Sequence, residues 1–444
     1  MLIPILFGVF ILGYSAISFE HITRLDKLIP ALLMMCVSWV LIVTNLDSIQ
    51  EWFSPSSGGF LKDYASSSLA EKRHIAEETL LHHFGKTAEI LIFLIGAMTI
   101  VEMIDYFDGF SIIKNWIKTR RKIALLWITC LIAFILSAII DNLTATIVLI
   151  TILRKLIQEK EDRLYFTGFI IVASNAGGAW TPIGDVTTTM LWIAGKITTF
   201  EVMKLVVLPS IVSIVVPLGI ISLTKKLRGS FAPVEAEKTT PDKSAKLILL
   251  TGLVLIIGVP IFKTITHLPP YLGMMFALAL MAFTAEIVSK RKFKVGENEG
   301  AHHESPTLHS IENIEIPSIL FFLGILMTVA ALESVGAIFH LGSSVQQSLS
   351  ENSFVGILGL ISAVLDNVPL VAASIGMFEA PKDALIWHKI AFAAGTGGSI
   401  LIIGSAAGVV AMGMEKIGFG WYLKNISWLA LIGYISGFLV ISML

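Results

Sequence analysis

Charge and cysteine are both scarce in this chain. Lys, Arg, Asp and Glu make up 15% of its 444 residues, and the two cysteines, Cys36 and Cys130, each sit inside an apolar run. No disulfide framework is implied. The formal net charge is −1 and no basic patch carries interleaved aromatics, so nothing points to nucleic acid. The start, Met1-Leu2-Ile3, lacks a basic n-region and a small-residue cleavage site, so 2–19 reads as a retained helix. What remains is apolar: 55% of residues, with a mean hydropathy of +0.82.

That material is arranged in long runs at 2–19, 28–45, 87–105, 203–223, 247–263, 271–288, 316–335 and 426–443. Helices of about 20 residues span the hydrocarbon of a bilayer. Two further runs, 164–194 and 388–413, are interrupted by glycine and polar residues. A lipid-facing barrel would alternate in short strands. The pattern predicts an all-α polytopic membrane protein.

Lys118, Arg120, Arg121 and Lys122 precede the stretch 123–153, and Arg154, Lys155, Lys160 and Arg163 follow it. Other basic clusters occupy 224–246 and 290–294. The positive-inside tendency places all of them in the cytoplasm. With both flanks on one side, 123–153 reads as a re-entrant hairpin opening from the cytoplasm, its tip at Asp141-Asn142. No Lys or Arg occurs between Lys294 and Lys382, so 353–378 reads as a second hairpin, opening from the periplasm with its tip at Asp366-Asn367.

The two tips belong to a duplication. "SAIIDN" (137–142) returns as "SAVLDN" (362–367), "FLIGAMTIVE" (93–102) resembles "FLGILMTVAA" (322–331), and "NAGGAWTPIGD" (175–185) resembles "GTGGSILIIGS" (395–405). Each half holds five crossings and one hairpin. An odd number of passes repeated in tandem inserts in opposite orientations, the inverted-repeat plan of many transporters. The predicted units are 1–228 and 247–444, joined by a cytoplasmic linker at 229–246. The stretches 111–121 and 337–349 read as interfacial linker helices.

A carboxylate at membrane depth costs about 2.5–3.5 kcal/mol on the lenient insertion scale. Asp141, Asp185 and Asp366 are the acids so placed, with Asn142 and Asn367 beside two of them. Helices broken at tips or mid-span leave backbone carbonyls unpaired. Those carbonyls, with side-chain oxygens, suit a hard cation. Na⁺ is therefore expected at Asp141, Asn142 and Asp185, and at Asp366, Asn367 and Ser405. Thr144, Thr181, Gly184, Thr187, Thr188, Ser362, Ser399 and Gly404 would support the two sites, with Ser405 standing where the first half has Asp185. Asp141 and Asp366 could instead serve only as helix N-caps, although Asn or Ser would cap without a charge. Glu102 and Glu333, near helix ends, are secondary candidates. His82-His83 and His302-His303 read as solvated loop residues, and the Gly-Gly pairs as packing or hinge features.

The tips together with "NAGGAWTPIGDVTTT" and "GTGGSILIIGSAAG" resemble the NhaD-type sodium/proton antiporters of the ion transporter superfamily, over essentially the whole chain. The resemblance implies an elevator-type homodimer with a scaffold and a transport domain in each protomer. Dicarboxylate relatives carry Ser-Asn-Thr at each tip. Here Asp occupies the first position twice and Pro369 replaces the counterpart of Thr144, which argues against an anionic substrate.

The expected activity is exchange of cytoplasmic Na⁺ or Li⁺ for external H⁺ across a bacterial-type inner membrane, without a cofactor, the two cations competing for the aspartates. The alternatives are a sodium-coupled dicarboxylate symporter and an arsenite efflux permease. An intramembrane aspartyl protease is more remote, since "TPIGD" lacks the first glycine of Gly-x-Gly-Asp.

Overall fold

The computed structural model describes residues 2–18, 25–54, 59–112, 119–224, 226–227, 229–231, 243–293, 305–364 and 367–444. Asp366 lies outside the described residues, as do most of the 111–121 stretch, most of the linker and His302-His303. The first half forms α1 (Leu2–Ser18), α2 (Leu28–Thr44), α3 (Leu69–Tyr106), α4 (Lys122–Ile140), α5 (Asn142–Leu156), α6 (Lys160–Ala179), α7 (Val186–Ile193) and α8 (Thr199–Leu223). The second forms α9 (Lys243–Thr266), α10 (Pro270–Phe293), α11 (Pro306–Asn313), α12 (Ile316–Ser334), α13 (Ala337–Ser348), α14 (Glu351–Ile361), α15 (Asn367–Met377), α16 (Leu385–Gly397) and α17 (Ala406–Glu415). A last helix runs from α18 (Phe419–Tyr422) through a π turn (Leu423–Ser427) into α19 (Trp428–Ser442). Seven of these segments are long and apolar enough to cross a membrane, which makes the chain an integral membrane protein.

Two expectations need correction. The third helix begins at Leu69, well before the apolar run at 87. Ser68 and Glu71 form a reciprocal capping box, with the Ser68 amide donating to Glu71 Oε2 at 2.8 Å and the Glu71 amide donating to Ser68 Oγ at 3.3 Å. His82 and His83 therefore sit within α3, where His83 is buried. The fold is also not purely helical. Phe53–Ser54 pairs antiparallel with Gly59–Phe60, and the Phe60 ring meets Phe339 of α13 at 5.2 Å. Below it the buried Trp52 stacks on Tyr64 at 5.4 Å and donates from Nε1 to Thr79 Oγ1 at 3.0 Å.

Helix packing comes in matched sets. α1 packs on α2 as α9 packs on α10, and α2 on α12 as α10 on α3. α4 packs on α6 as α14 on α16. α5 packs on α17 as α15 packs on α7. Three further pairs, α3–α12, α6–α16 and α8–α19, join counterpart to counterpart. A frame of α1–α3 and α9–α12 thus flanks a block of α4–α8 and α14–α19.

Glycine allows the block to pack this closely. A Cβ on Gly177 of α6 would overlap the Phe134 carbonyl of α4, and one on Gly397 of α16 would overlap the Gly359 carbonyl of α14. Each broken helix therefore lies backbone to backbone against the first arm of its own hairpin. At the far end of α17, Glu415 is buried and accepts from Arg154 Nε (α5) and Arg163 Nε (α6), both at 2.6 Å. An Arg154 Nη2 group also donates to the Met414 carbonyl. This clamp ties the second arm of the first hairpin to the second half of the chain.

Two stability predictions follow from these contacts. Gly397→Ala should destabilise by about 1–3 kcal/mol through overpacking, whereas Gly413→Ala, with nothing within 4 Å of the new methyl, should be silent. Glu415→Ala should cost about 3 kcal/mol by leaving the largely buried Arg163 unpaired. Size-exclusion chromatography of detergent-solubilised protein after graded heating reads both effects as a lower melting midpoint.

Candidate functional site

The first tip forms because α4 ends at Ile140 and Asp141 adopts φ 97° and ψ 157° before α5 begins. A side chain at such a φ costs about 1–3 kcal/mol and persists where its surroundings hold it. Here the Asp141 carboxylate caps α5, accepting from the Thr144 amide at 2.7 Å and from Thr144 Oγ1 at 2.9 Å. The two tip residues diverge. Asn142 turns into the block, where its buried amide donates to Asn175 Oδ1 at 3.0 Å and to Asp185 Oδ1 at 3.2 Å. Asp141, half-buried, lines a cavity between the tip and the frame.

The first broken helix stops at Ala179 and resumes at Val186, and its threonines brace the gap. Thr181 Oγ1 donates to the Ala138 carbonyl at 2.6 Å, Thr188 Oγ1 to Ala179 at 3.2 Å and Thr189 Oγ1 to Pro182 at 2.9 Å. Gly184 packs so closely on the first tip that a Cβ would come within 2.6 Å of the Ser137 carbonyl. These contacts hold Asp185, at 3% exposure, in the middle of the block. Its Oδ1 accepts from Asn142; its Oδ2 accepts from Thr187 Oγ1 and from Asn367 Nδ2 at 3.4 Å. One carboxylate thus collects amides from both hairpins.

The second half repeats the scaffolding with less charge. Ser362 Oγ donates to the Ala394 carbonyl at 2.9 Å, as Ser137 Oγ does to the Ser174 carbonyl at 2.5 Å. A Cβ on Gly404 would meet the Ala363 carbonyl at 2.6 Å. Buried Ser405 caps α17, accepting from the Gly408 amide at 3.2 Å and from Asn175 Nδ2 at 2.9 Å.

Of the residues anticipated from sequence, the structure brings Asn142, Asp185, Thr187 and Asn367 into one cluster, with Ser405 one bond away through Asn175. It directs the hydroxyls of Thr181, Thr188, Ser362 and Ser399 to backbone carbonyls, the last to Thr396 at 2.7 Å. These four brace the breaks. Asp141 bonds Thr144, so the trio of Asp141, Asn142 and Asp185 expected around one ion is divided between two faces of the tip. Glu102 lies on α3 four residues from Tyr106, whose ring meets His309 of α11 at 5.0 Å, within the frame. Glu333 packs beneath Gly376 near the open end of the second hairpin. Asp366 remains outside the described residues.

Asn175 is the residue that sequence reasoning passed over. It lies in the repeated "NAGGAW" stretch, but a glycine, Gly395, occupies the matching position of the other half. Its amide accepts from Asn142 with one end and donates to Ser405 with the other, so it links the two broken helices. Among the described residues no three His, Cys, Asp or Glu side chains group as metal ligands. The oxygens available are one carboxylate, three amides and two hydroxyls, a donor set for a hard cation. Turning either hairpin amide by 180° exchanges its N–H donor for an oxygen facing the centre.

Comparison with known proteins agrees with this construction. A family model described as a citrate transporter matches residues 14–397. Sodium/proton antiporter 1 of Arabidopsis thaliana is 40% identical over 98% of this chain and 70% of its own length. The Na(+)/H(+) antiporter NhaD of Vibrio cholerae is 29% identical over 96% of this chain and 88% of its own. The crystal structure of the Alcanivorax borkumensis YdaH transporter matches with a TM-score of 0.60 over 93% of this chain and 98% of that one, at 12% identity, a likeness of fold alone. The chain belongs to the citrate transporter family, a family of transporters and not enzymes, and within it is related to sodium/proton antiporters of the NhaD type.

Proposed function

We propose that the protein exchanges cytoplasmic Na⁺ or Li⁺ for external H⁺, using Asp185 as the group for which the two cations compete. The observation that carries this reading is the convergence of Asn142 and Asn367, from hairpins 225 residues apart in sequence, on the two oxygens of one buried carboxylate. A buried acid is neutralised either by a proton or by a metal cation. With a proton bound, the amides act as donors to it; with a cation bound, their oxygens complete its shell. A carboxylate bearing neither is held back from crossing by its solvation cost. Exchange follows, because the site returns across the membrane only with one cation or the other.

On this reading the two halves form an inverted repeat in a bacterial-type inner membrane, with one hairpin opening to each side. The matched packing of α5 on α17 and α15 on α7 supports that symmetry. The block would move against the frame as an elevator within a homodimer. The tip lies beside the first turns of α12, whose start follows the basic 290–294 cluster, which favours a block standing toward the cytoplasm. Citrate or another dicarboxylate is a poorer cargo, since the centre already holds an acid and the described tip carries a second.

The test is Na⁺- or Li⁺-induced pH change in everted membrane vesicles. Asp185→Asn should lower the rate by roughly a hundredfold or more, to background, at unchanged expression; a rate near wild type would overturn the assignment. Competition also fixes a sign. Where the site is mostly protonated, each unit rise in pH should lower the apparent KM for Na⁺ by about tenfold with the maximal rate unchanged. A KM independent of pH would mean that the two cations bind separate groups.

A further inference from the structure

Between the first tip and the frame lies a cavity of about 70 Å³ that the cation site does not use. That volume holds a few water molecules. Its walls are largely apolar, from residues such as Phe93 and Met98 of α3, Ile256 of α9 and Phe322 of α12. Among the described residues lining it, two titrate: Asp141 on the block and Glu315 on the frame. Glu315 stands at the solvent-exposed start of α12 and accepts from Ser318 Oγ at 2.9 Å. Asn142 also lines the cavity while bonding Asp185 behind it, and so forms the partition between the two compartments.

We propose that this cavity is a proton passage, in which Glu315 and Asp141 exchange the proton between solvent and block while Asp185, behind the Asn142 partition, holds the metal cation. The proposal rests on the exchange reading above and divides its labour between two acids. The chemistry of the walls separates the roles. A sodium ion stripped of water needs several oxygens around it, and Asp185 sits among amides and hydroxyls. The cavity offers little beyond two carboxylates, Thr144 and Ser318 in an apolar wall, which suits a proton carried on water.

With the block toward the cytoplasm, the step is discharge. Neutral Asp141 gives its proton through water to the Glu315 carboxylate, leaving an Asp141 carboxylate; Glu315, now the neutral acid, releases the proton to solvent and is again a carboxylate. The charge left on Asp141 then favours cation entry beside it. Because Glu315 belongs to the frame, displacement of the block along α12 separates the pair, so this route operates at one end of the movement.

Two fluxes distinguish the roles in proteoliposomes: radiosodium-for-sodium exchange at equal pH, and sodium exchange driven by a pH gradient. Glu315→Gln should cut gradient-driven exchange by about tenfold or more while leaving the KM for Na⁺ within about twofold and sodium-for-sodium exchange intact. Glu315→Asp should restore most of the lost rate. Asp141→Asn should lose gradient-driven exchange and keep sodium-for-sodium exchange, whereas Asp185→Asn should lose both. The proposal is overturned if Glu315→Gln leaves gradient-driven exchange unchanged, if Glu315→Gln and Glu315→Asp both lose the two fluxes together, or if Asp141→Asn abolishes sodium-for-sodium exchange as fully as Asp185→Asn. Absence of any gradient-driven sodium flux in the unmodified protein would instead refute the exchange reading itself.

Discussion

A buried carboxylate is tolerable only when donors or a cation answer its charge, and Asp185 is the group that the block is built to answer. Its donors come from three places: the tip of each hairpin and the turn that follows the first helix break. Each must stop at one depth. The arms stop there because Asp141 caps α5 in a left-handed backbone conformation and because the helix breaks are braced by threonine and serine hydroxyls. The breaks in turn approach the hairpin arms closely enough only because glycine stands at Gly177, Gly184, Gly397 and Gly404. Local conformation, packing and charge are thus solved together.

Much of this was legible in the chain itself. An Asp-Asn pair inside an apolar run is conspicuous, and the hairpin expected at 123–153 appears as α4 and α5. Pro182 and Gly184 announced the break after α6 in the same way. Other features are invisible to a reading that moves along the chain. Glu415 meets Arg154 across 261 residues, and no local pattern marks either as the other's partner. Asn175 has no polar counterpart in the second half, so the repeat that revealed the tips concealed it. The start of α3 was missed because its first turns are polar, and a capping box, not hydropathy, begins that helix.

The separation of Asp141 from Asp185 has a similar origin. Sequence places both acids at membrane depth and suggests one shared ion. Adjacent residues at a helix start, however, point in different directions, so Asn142 faces the block interior while its neighbour faces the frame. The tip is two-sided. A description that treats the Asp-Asn pair as a single ligand unit overlooks the chemical difference between its two faces.

The Glu415 clamp bears on how the centre can be reached. One end of α5 is stitched to α17 by two guanidinium groups, and the other end is joined to the start of α17 through Asn142, Asn175 and Ser405. A rod fastened to its neighbour at both extremities has no free edge with which to swing aside. The first re-entrant loop therefore cannot behave as a trapdoor over its cargo, and water must be admitted by sliding along the outer surface of an otherwise unopened core.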